Sequence, residues 1–412
     1  MKALIAEGKH LDISYLSGKS VLLAGYLAIH NIERFREYLL GKARRVGFIG
    51  ATTFYVRGIR SQCTLCQSGK PVKVLSGPPR LKAGASAYKG ALPVAYFIHF
   101  LSFMWSAIRL GSIFDIYIGV SYTPALAGIL LKRIGLVRSV VYYSYDYAPT
   151  PPSASVYTVL TTRIFQIIDG ICARYSDVTW NLSKSMIRIR ERISPFEVEP
   201  ARQVVVPYAI FPRWELETGL DIDKNSVGFV GNLVRNQGLE LVIEATADIA
   251  KEIPNFKVLI IGSGPHERVL KELVRMKALE KHIVFLGFVK DENEVYRILS
   301  SCSAGLAPYV LDPYSLVNYA YPGKVRMYIE CGLPVIMTRV SDIADDIEKF
   351  KAGYIIRYDK DQLTDAIAKL LGDDALYQEF RNNIRTLVWT NTVRNILDMA
   401  FVQSKDMILR IH

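Results

Sequence analysis

Short apolar runs alternate with helix-length segments along the whole chain, and the alternation runs its course twice. A run that is apolar at every position suits a strand covered on both faces. The pattern therefore calls for α/β architecture, with parallel sheets and helices packed on each side. In the first half strands are expected at residues 20–29, 45–52, 72–76, 113–120, 139–144, 178–182 and 204–207. In the second half they are expected at 226–230, 257–261, 283–286, 304–307, 334–337 and 353–356. A chain of 412 residues exceeds what one ordinary core serves. The break falls within 210–223, where Pro207, Pro212 and a polar stretch interrupt both patterns. Three parts are expected: a first Rossmann-like domain over 1–212, a second over 213–385, and a helix within 386–412 that returns to the first.

Helix boundaries are well marked in the second half. Leu239, Val242, Ile243, Thr246 and Ile249 recur at helical spacing, so 238–250 buries one face. Asp291 and Glu294 have the spacing of a capping box before Val295, Ile298 and Leu299. A short helix over 324–331 is stopped by Gly332 and Pro334, another over 363–371 by Gly372. Val393, Ile396, Leu397, Ala400 and Phe401 give the last helix an apolar face.

Charge is divided unevenly. Residues 1–212 carry a net +15 and residues 213–412 a net −3. No Asp or Glu occurs between Glu37 and Asp115, where Lys42, Arg44, Arg45, Arg57, Arg60, Lys70, Lys73, Arg80, Lys82, Lys89 and Arg109 all fall. Such a stretch attracts an anionic partner, such as acidic lipid or a diphosphate-linked acceptor. Nucleic acid is not expected, because no recognition motif accompanies the charge. Within the stretch lies an apolar segment, 91–110, interrupted by His99, Ser102, Ser106 and Arg109. It suits a helix lying in a membrane interface, or one buried in the first domain, better than a span. Five cysteines at irregular spacing, with no secretory leader read at the N-terminus, suit a reducing cytoplasm. Cys63 and Cys66 have half the spacing of a zinc site, without a second pair, and no metal is expected.

Three turns after strands could hold phosphate, since helix N-terminal amides and close backbone approach favour an anion there. The first runs from Gly231 to Gly238, with Asn232, Arg235 and Gln237 between them. The second holds Gly262, Gly264 and Pro265. In the third, Pro322 and Gly323 set a turn and Lys324 opens a helix that carries Tyr328. All three are expected at carboxyl ends of strands, where open parallel sheets bind ligands.

In order, these segments read G-N-L-x-x-x-Q-G, I-G-S-G-P, V-F-L-G-F-V, S-x-G-L-A-P and P-G-K followed by C-G-L-P-V. Residues 227–338, about a quarter of the chain, thereby resemble the nucleotide-sugar-binding half of glycosyltransferase family 4. The resemblance implies the GT-B fold: two Rossmann-like domains facing a cleft, the donor on the second and the acceptor on the first. It implies a nucleoside-diphosphate sugar held by Gly231, Asn232, Arg235, Gln237, Gly262, Gly264, Pro322, Gly323, Lys324 and Tyr328, and chemistry without a bound metal or other cofactor. The sequence departs from the family's pattern at Asn232 and Gln237, usually Arg and Lys, and at Tyr319 and Met327, usually glutamates. The lysine placement also resembles membrane-associated glucuronosyltransferases of exopolysaccharide assembly, which lack the paired glutamates as well.

Related enzymes place a His or Asp of catalytic weight in the loop that matches Tyr142–Pro149. Asp146 is the sole carboxylate between Asp115 and Asp169. Flanked by Tyr145 and Tyr147 at a strand end, it is expected to be partly desolvated and therefore more basic than a free carboxylate. It is the candidate base for the acceptor hydroxyl; the alternative is a loop-capping Asp before an x-Pro turn. Asn181 and Ser183 suit sugar binding or the capping of the next helix. The expected activity is transfer of a hexose-type sugar to a polyprenyl-linked or glycan acceptor at the cytoplasmic face of the membrane, by direct displacement or retaining exchange. A sugar-nucleotide epimerase and an inactive nucleotide-sugar-binding protein share the fold and are the alternatives.

Overall fold

The computed structural model describes residues 11–27, 32–52, 60–78, 88–147, 149–213 and 223–409. Arg57, Arg80 and Lys82 of the basic stretch lie outside the described residues, as do residues 1–10, 28–29 and 214–222 and the side chains of 88–93. The chain divides into two units, one formed by Ala3–Ala209 with Val393–His412 and the other by Ile210–Thr392.

The first unit is built on β1 (Ser20–Tyr26), β2 (Arg45–Ala51), β3 (Gln62–Gln67), β4 (Lys70–Ser76), β5 (Phe114–Val120), β6 (Val137–Ser144), β7 (Val178–Asn181) and β8 (Gln203–Val205). Their order in the sheet is β4-β3-β2-β1-β5-β6-β7-β8. From β2 through β8 neighbours run parallel. The edge carries an addition to the expected pattern: β3 and β4 pair antiparallel as a hairpin. Its turn is Ser68-Gly69, both at positive φ, the two-residue arrangement whose twist suits right-twisted strands. Periodicity missed β3 because its polar and apolar residues alternate only over a few positions. That alternation sends Cys63 into the core beside Leu65 and points Cys66 to the opposite face, so the pair cannot chelate one ion.

The unit's helices are α1 (Ile32–Leu40), α2 (Tyr88–Leu110), α3 (Tyr122–Arg133), α4 (Val156–Tyr175) and α5 (Lys184–Ile193). Phe103, Ala107 and Leu110 of α2 and Cys172 and Ala173 of α4 join the core between this helical layer and the sheet. Each helix therefore has a buried face. By length and composition α4 could cross a membrane, but Asp169 in its second half is buried in an ion pair within the unit.

Among the described residues the second unit has six strands, β9 (Ser226–Val230), β10 (Lys257–Ile261), β11 (Ile283–Gly287), β12 (Ala304–Ala307), β13 (Val335–Thr338) and β14 (Gly353–Ile356). All pair in parallel, in the order β11-β10-β9-β12-β13-β14. Its helices are α6 (Leu239–Glu252), α7 (Glu267–Met276), α8 (Glu292–Ser300), α9 (Gly323–Glu330), α10 (Ile343–Lys349), α11 (Lys360–Gly372) and α12 (Asp374–Thr390). Phe229, Val258, Ile260, Leu306 and Ile336 of the strands pack with Val242 and Ile249 of α6 and Leu370 of α11. Asp291 caps α8 by accepting from Asn293 N at 3.0 Å. Glu294 does not complete a capping box; it pairs with Arg297 at 2.6 Å, one turn on, where an exposed charge is better matched.

The last helix, α13 (Val393–Leu409), packs in the first unit. Trp180 Nε1 donates to Ser404 Oγ at 2.8 Å, Ser139 Oγ to the Ile408 carbonyl at 2.7 Å, and Tyr38 OH to Asp398 Oδ1 at 2.7 Å. Strand order reverses direction between β9 and β12. Open parallel sheets leave a crevice at the carboxyl ends of two such strands, and ligands settle there.

Candidate functional site

The loops leaving β9 and β10 meet backbone to backbone. Gly231 has φ +151° and Gly262 φ +135°, both in the region that favours glycine. A Cβ on Gly262 would stand 1.9 Å from the Gly231 carbonyl oxygen, so no larger residue fits. Leu233 N donates to Ser263 O, and His266 N to Leu233 O, both at 3.0 Å. These contacts bring the first two glycine turns together. Gly231, Asn232 and Gly262 line a hollow of about 450 Å³, with Ser263, Phe288, Val289 and Val295 among its other walls.

The third turn sends Lys324 to the same place. Its stem lies beneath Gly231, whose missing Cβ would be 3.2 Å from Nζ. Nζ donates to Gln237 Oε1 at 2.5 Å and stands 3.7 Å from the Phe229 ring centre and 4.9 Å from that of Tyr309. The side chain is buried, and among the described residues no carboxylate neutralises it. Burial holds its pKa well below that of an ordinary lysine. Two ring faces and one amide oxygen replace only part of the water an ammonium loses. An anion arriving at Nζ would supply the missing charge.

The other expected residues differ in their placement. Gly238 caps α6 in the left-handed conformation. Gly264 approaches Leu233 closely: a Cβ there would be 2.4 Å from the Leu233 carbonyl oxygen. Asn232 and Arg235 are exposed, the latter with its charge acting on Tyr358. Pro322 is buried as the residue before α9, while Gly323 is exposed. Tyr328 is fully buried, and its hydroxyl is committed to the scaffold. It accepts from Val230 N at 3.1 Å and donates to Leu306 O at 2.9 Å, tying β9 to β12. Tyr319 and Met327 stand where the family resemblance implies glutamates; Tyr319 OH donates to the Pro313 carbonyl at 2.5 Å.

In the first unit Asp146 follows β6. Tyr145 and Tyr147 on either side are buried, while Asp146 itself opens to solvent. The side chain reaches solvent on one side, and protein packed on its other sides raises its pKa by desolvation. Ser183 caps α5, accepting from Met186 N at 2.9 Å. Asn181 is buried and donates to Gln203 Oε1 at 2.9 Å.

Asn181 belongs to a network that pattern reading did not find. Arg190 of α5 donates from Nε to Asp169 Oδ2 at 2.7 Å, from Nη2 to Ser144 Oγ at 2.7 Å, and from Nη1 to Asn181. Its guanidinium also stacks 5.1 Å from the Tyr147 ring centre, directly beside Asp146 in sequence. Asp169 accepts from Tyr142 OH as well. One signal was available: Arg190 shares the helical phase of Met186 and Ile189, which are buried. In the second unit Arg326 and Glu330 form a second buried pair at 2.7 Å, and Glu330 also accepts from Tyr296. His266 pairs with Glu240 at 2.6 Å.

Comparison with known proteins agrees with the fold. Residues 212–387 match the model of the family described as glycosyl transferases group 1. The glycosyltransferase MJ1607 of Methanocaldococcus jannaschii is 24% identical over 187 residues, 44% of this chain and 46% of that protein. The chain thus spans less than half the length of this curated relative. Sucrose-phosphate synthase from Thermosynechococcus elongatus superposes with a TM-score of 0.64 at 16% identity, over 94% of this chain and 98% of that one. The Anabaena protein HepE in complex with UDP superposes with a TM-score of 0.60 at 12% identity, over 94% and 99%. Residues 212–387 therefore match the glycosyl transferases group 1 family, on a chain that has the GT-B glycosyltransferase fold.

Proposed function

We propose that the protein transfers a hexose-type sugar from a nucleoside-diphosphate donor to a lipid-linked or glycan acceptor. The observation that carries this reading is Lys324, a buried amine without a counter-charge, aimed at the junction of two glycine turns. A diphosphate suits that junction, because the two glycines let a ligand approach the backbone closely and the Lys324 amine stands beneath them. The acceptor hydroxyl attacks the anomeric carbon, and the bond from that carbon to the phosphate oxygen breaks. The electron pair leaves with the nucleoside diphosphate, whose growing charge Lys324 and nearby amides stabilise, with Arg235 in support. Asp146 takes the acceptor's proton; its raised pKa makes it a stronger base than a free carboxylate. The protein's own cation meets the leaving group, so the reaction calls for no bound metal.

The acceptor is read as membrane-borne, presented at the cytoplasmic face. The acid-free basic stretch of the first unit supports this, as do five buried cysteines, none of them in a disulfide among the described residues, which suit a reducing compartment. The test is incubation of the protein with a panel of sugar nucleotides and a polyprenyl-diphosphate-sugar acceptor, followed by mass measurement of the lipid. A product heavier by one hexose residue is expected, and its loss in Lys324→Ala. Nucleotide binding without turnover would instead identify a donor-binding protein without catalysis, and turnover unaffected by Lys324→Ala would remove the residue from the mechanism.

A further inference from the structure

Two helices of the first unit leave large apolar side chains uncovered along one side each. On α2 these are Val94, Phe97, Leu101, Trp105 and Ile108, between 43% and 62% exposed. Their spacing of three or four residues places them on one face, opposite the buried Phe103, Ala107 and Leu110. On α4 they are Val156, Val159, Leu160 and Ile164, between 43% and 77% exposed, at positions i, i+3, i+4 and i+8 of one helix side. Rings join the two helices through α3: Tyr96 of α2 lies 5.3 Å from Phe165 of α4, and Tyr122 of α3 lies 5.4 Å from Phe165. Nine such side chains on linked helices far exceed the scattered apolar residues of an ordinary surface.

The sequence through both exposed rows carries charges of one sign. No Asp or Glu occurs from residue 38 to 114 or from 147 to 168. Arg109 closes α2, Lys73 donates to its carbonyl at 2.6 Å, and Arg163 stands beside Ile164 on the exposed side of α4. We propose that α2 and α4 together form a docking face for an anionic lipid bilayer, with both apolar rows entering the headgroup boundary and the cations meeting lipid phosphates. This rests on the membrane-surface reading above and adds α4 as its second half. The buried faces of both helices keep them lying along the bilayer, where Trp105 is suited to the interface and a span is ruled out.

The test is cosedimentation of the full chain, without sugar nucleotide, with vesicles of about one-third phosphatidylglycerol in phosphatidylcholine. The wild type is expected to bind these vesicles, and to bind pure phosphatidylcholine or high-salt samples much less. L101D/W105D on α2 and L160D/I164D on α4 are each expected to lower partitioning at least about tenfold. Met276→Asp, on exposed α7 of the other unit, should bind as wild type. Should either pair fail to fold, Trp105→Ser and Leu160→Ser take their place. Unchanged binding by the α4 variants would overturn the two-helix face, and equal binding to neutral vesicles would overturn its anionic partner. A dimer in sedimentation that the same substitutions dissolve would assign the face to a second copy of the chain and overturn the proposal. Because no donor is present, absence of sugar transfer with intact vesicle binding would refute only the catalytic reading.

Discussion

Replacing Lys324 by Met separates the two effects of this residue. The stem keeps its volume, so packing against Phe229 and Tyr309 changes little. For the ligand-free protein the change removes an unpaired amine from a buried position. Its desolvation is offset in part by two ring faces, each about 0.5–2 kcal/mol, and one hydrogen bond to Gln237. We expect a net gain in stability of about 1–3 kcal/mol, within the range seen when buried charges give way to apolar groups. At about 2–4 °C per kcal/mol for a unit of this size, the melting temperature should rise. The pH dependence has a definite sign. Burial lowers the folded-state pKa of Lys324, so between that value and the ordinary lysine value the unfolded chain binds more protons. Stability from this group therefore rises with pH across that window, and Lys324→Met flattens the slope. For a bound diphosphate the effect reverses: loss of a desolvated charge-assisted contact costs about 2–4 kcal/mol, or about 30- to 700-fold in Kd. Calorimetric titration with UDP and differential scanning calorimetry measure the two sides. A variant that binds UDP within threefold of wild type, or melts well below it, would refute the reasoning.

Asp146→Asn should lower the transfer rate about 10²- to 10⁴-fold while leaving UDP affinity unchanged, as a steady-state assay with a separate titration would reveal. Because desolvation raises the pKa of Asp146, wild-type kcat/KM should climb with pH through a limb above the ordinary carboxylate value, and the variant should lack that limb. EDTA should leave transfer intact, since Lys324 meets the leaving charge; loss restored by a divalent ion would contradict this. Tyr328→Phe strips partners from Val230 N and Leu306 O, so it should destabilise the second unit by about 1–3 kcal/mol in urea unfolding.

The second unit was the more legible half. Its strands are short, apolar at nearly every position and bounded by Gly or Pro, so Ser226–Val230, Lys257–Ile261, Ala304–Ala307 and Gly353–Ile356 could be read to the residue. The glycine turns were legible for the same reason: a position that only glycine can occupy leaves an unmistakable letter. What Lys324 touches was not legible, because its ring walls come from Phe229 and Tyr309, distant in sequence and without any periodic signal. Neither was the scaffold role of Tyr328, which a helix phase cannot distinguish from a ligand contact. In the first unit β3 escaped because a six-residue hairpin strand with three polar positions lacks the all-apolar signature of a central strand. The Arg190–Asp169 pair escaped because a charge is read as solvated until its partner, here on another helix, is known. For α2 the sequence offered both a buried and an interfacial helix, and the fold shows one buried face and one exposed apolar face.

A crystal structure of the protein with UDP would test the central claim most directly. A phosphate oxygen is expected within about 2.7–3.2 Å of Lys324 Nζ, above Gly231 and Gly262, with Gln237 giving up its present contact. Phosphates bound elsewhere, with Lys324 still held by Gln237 between its two rings, would contradict it.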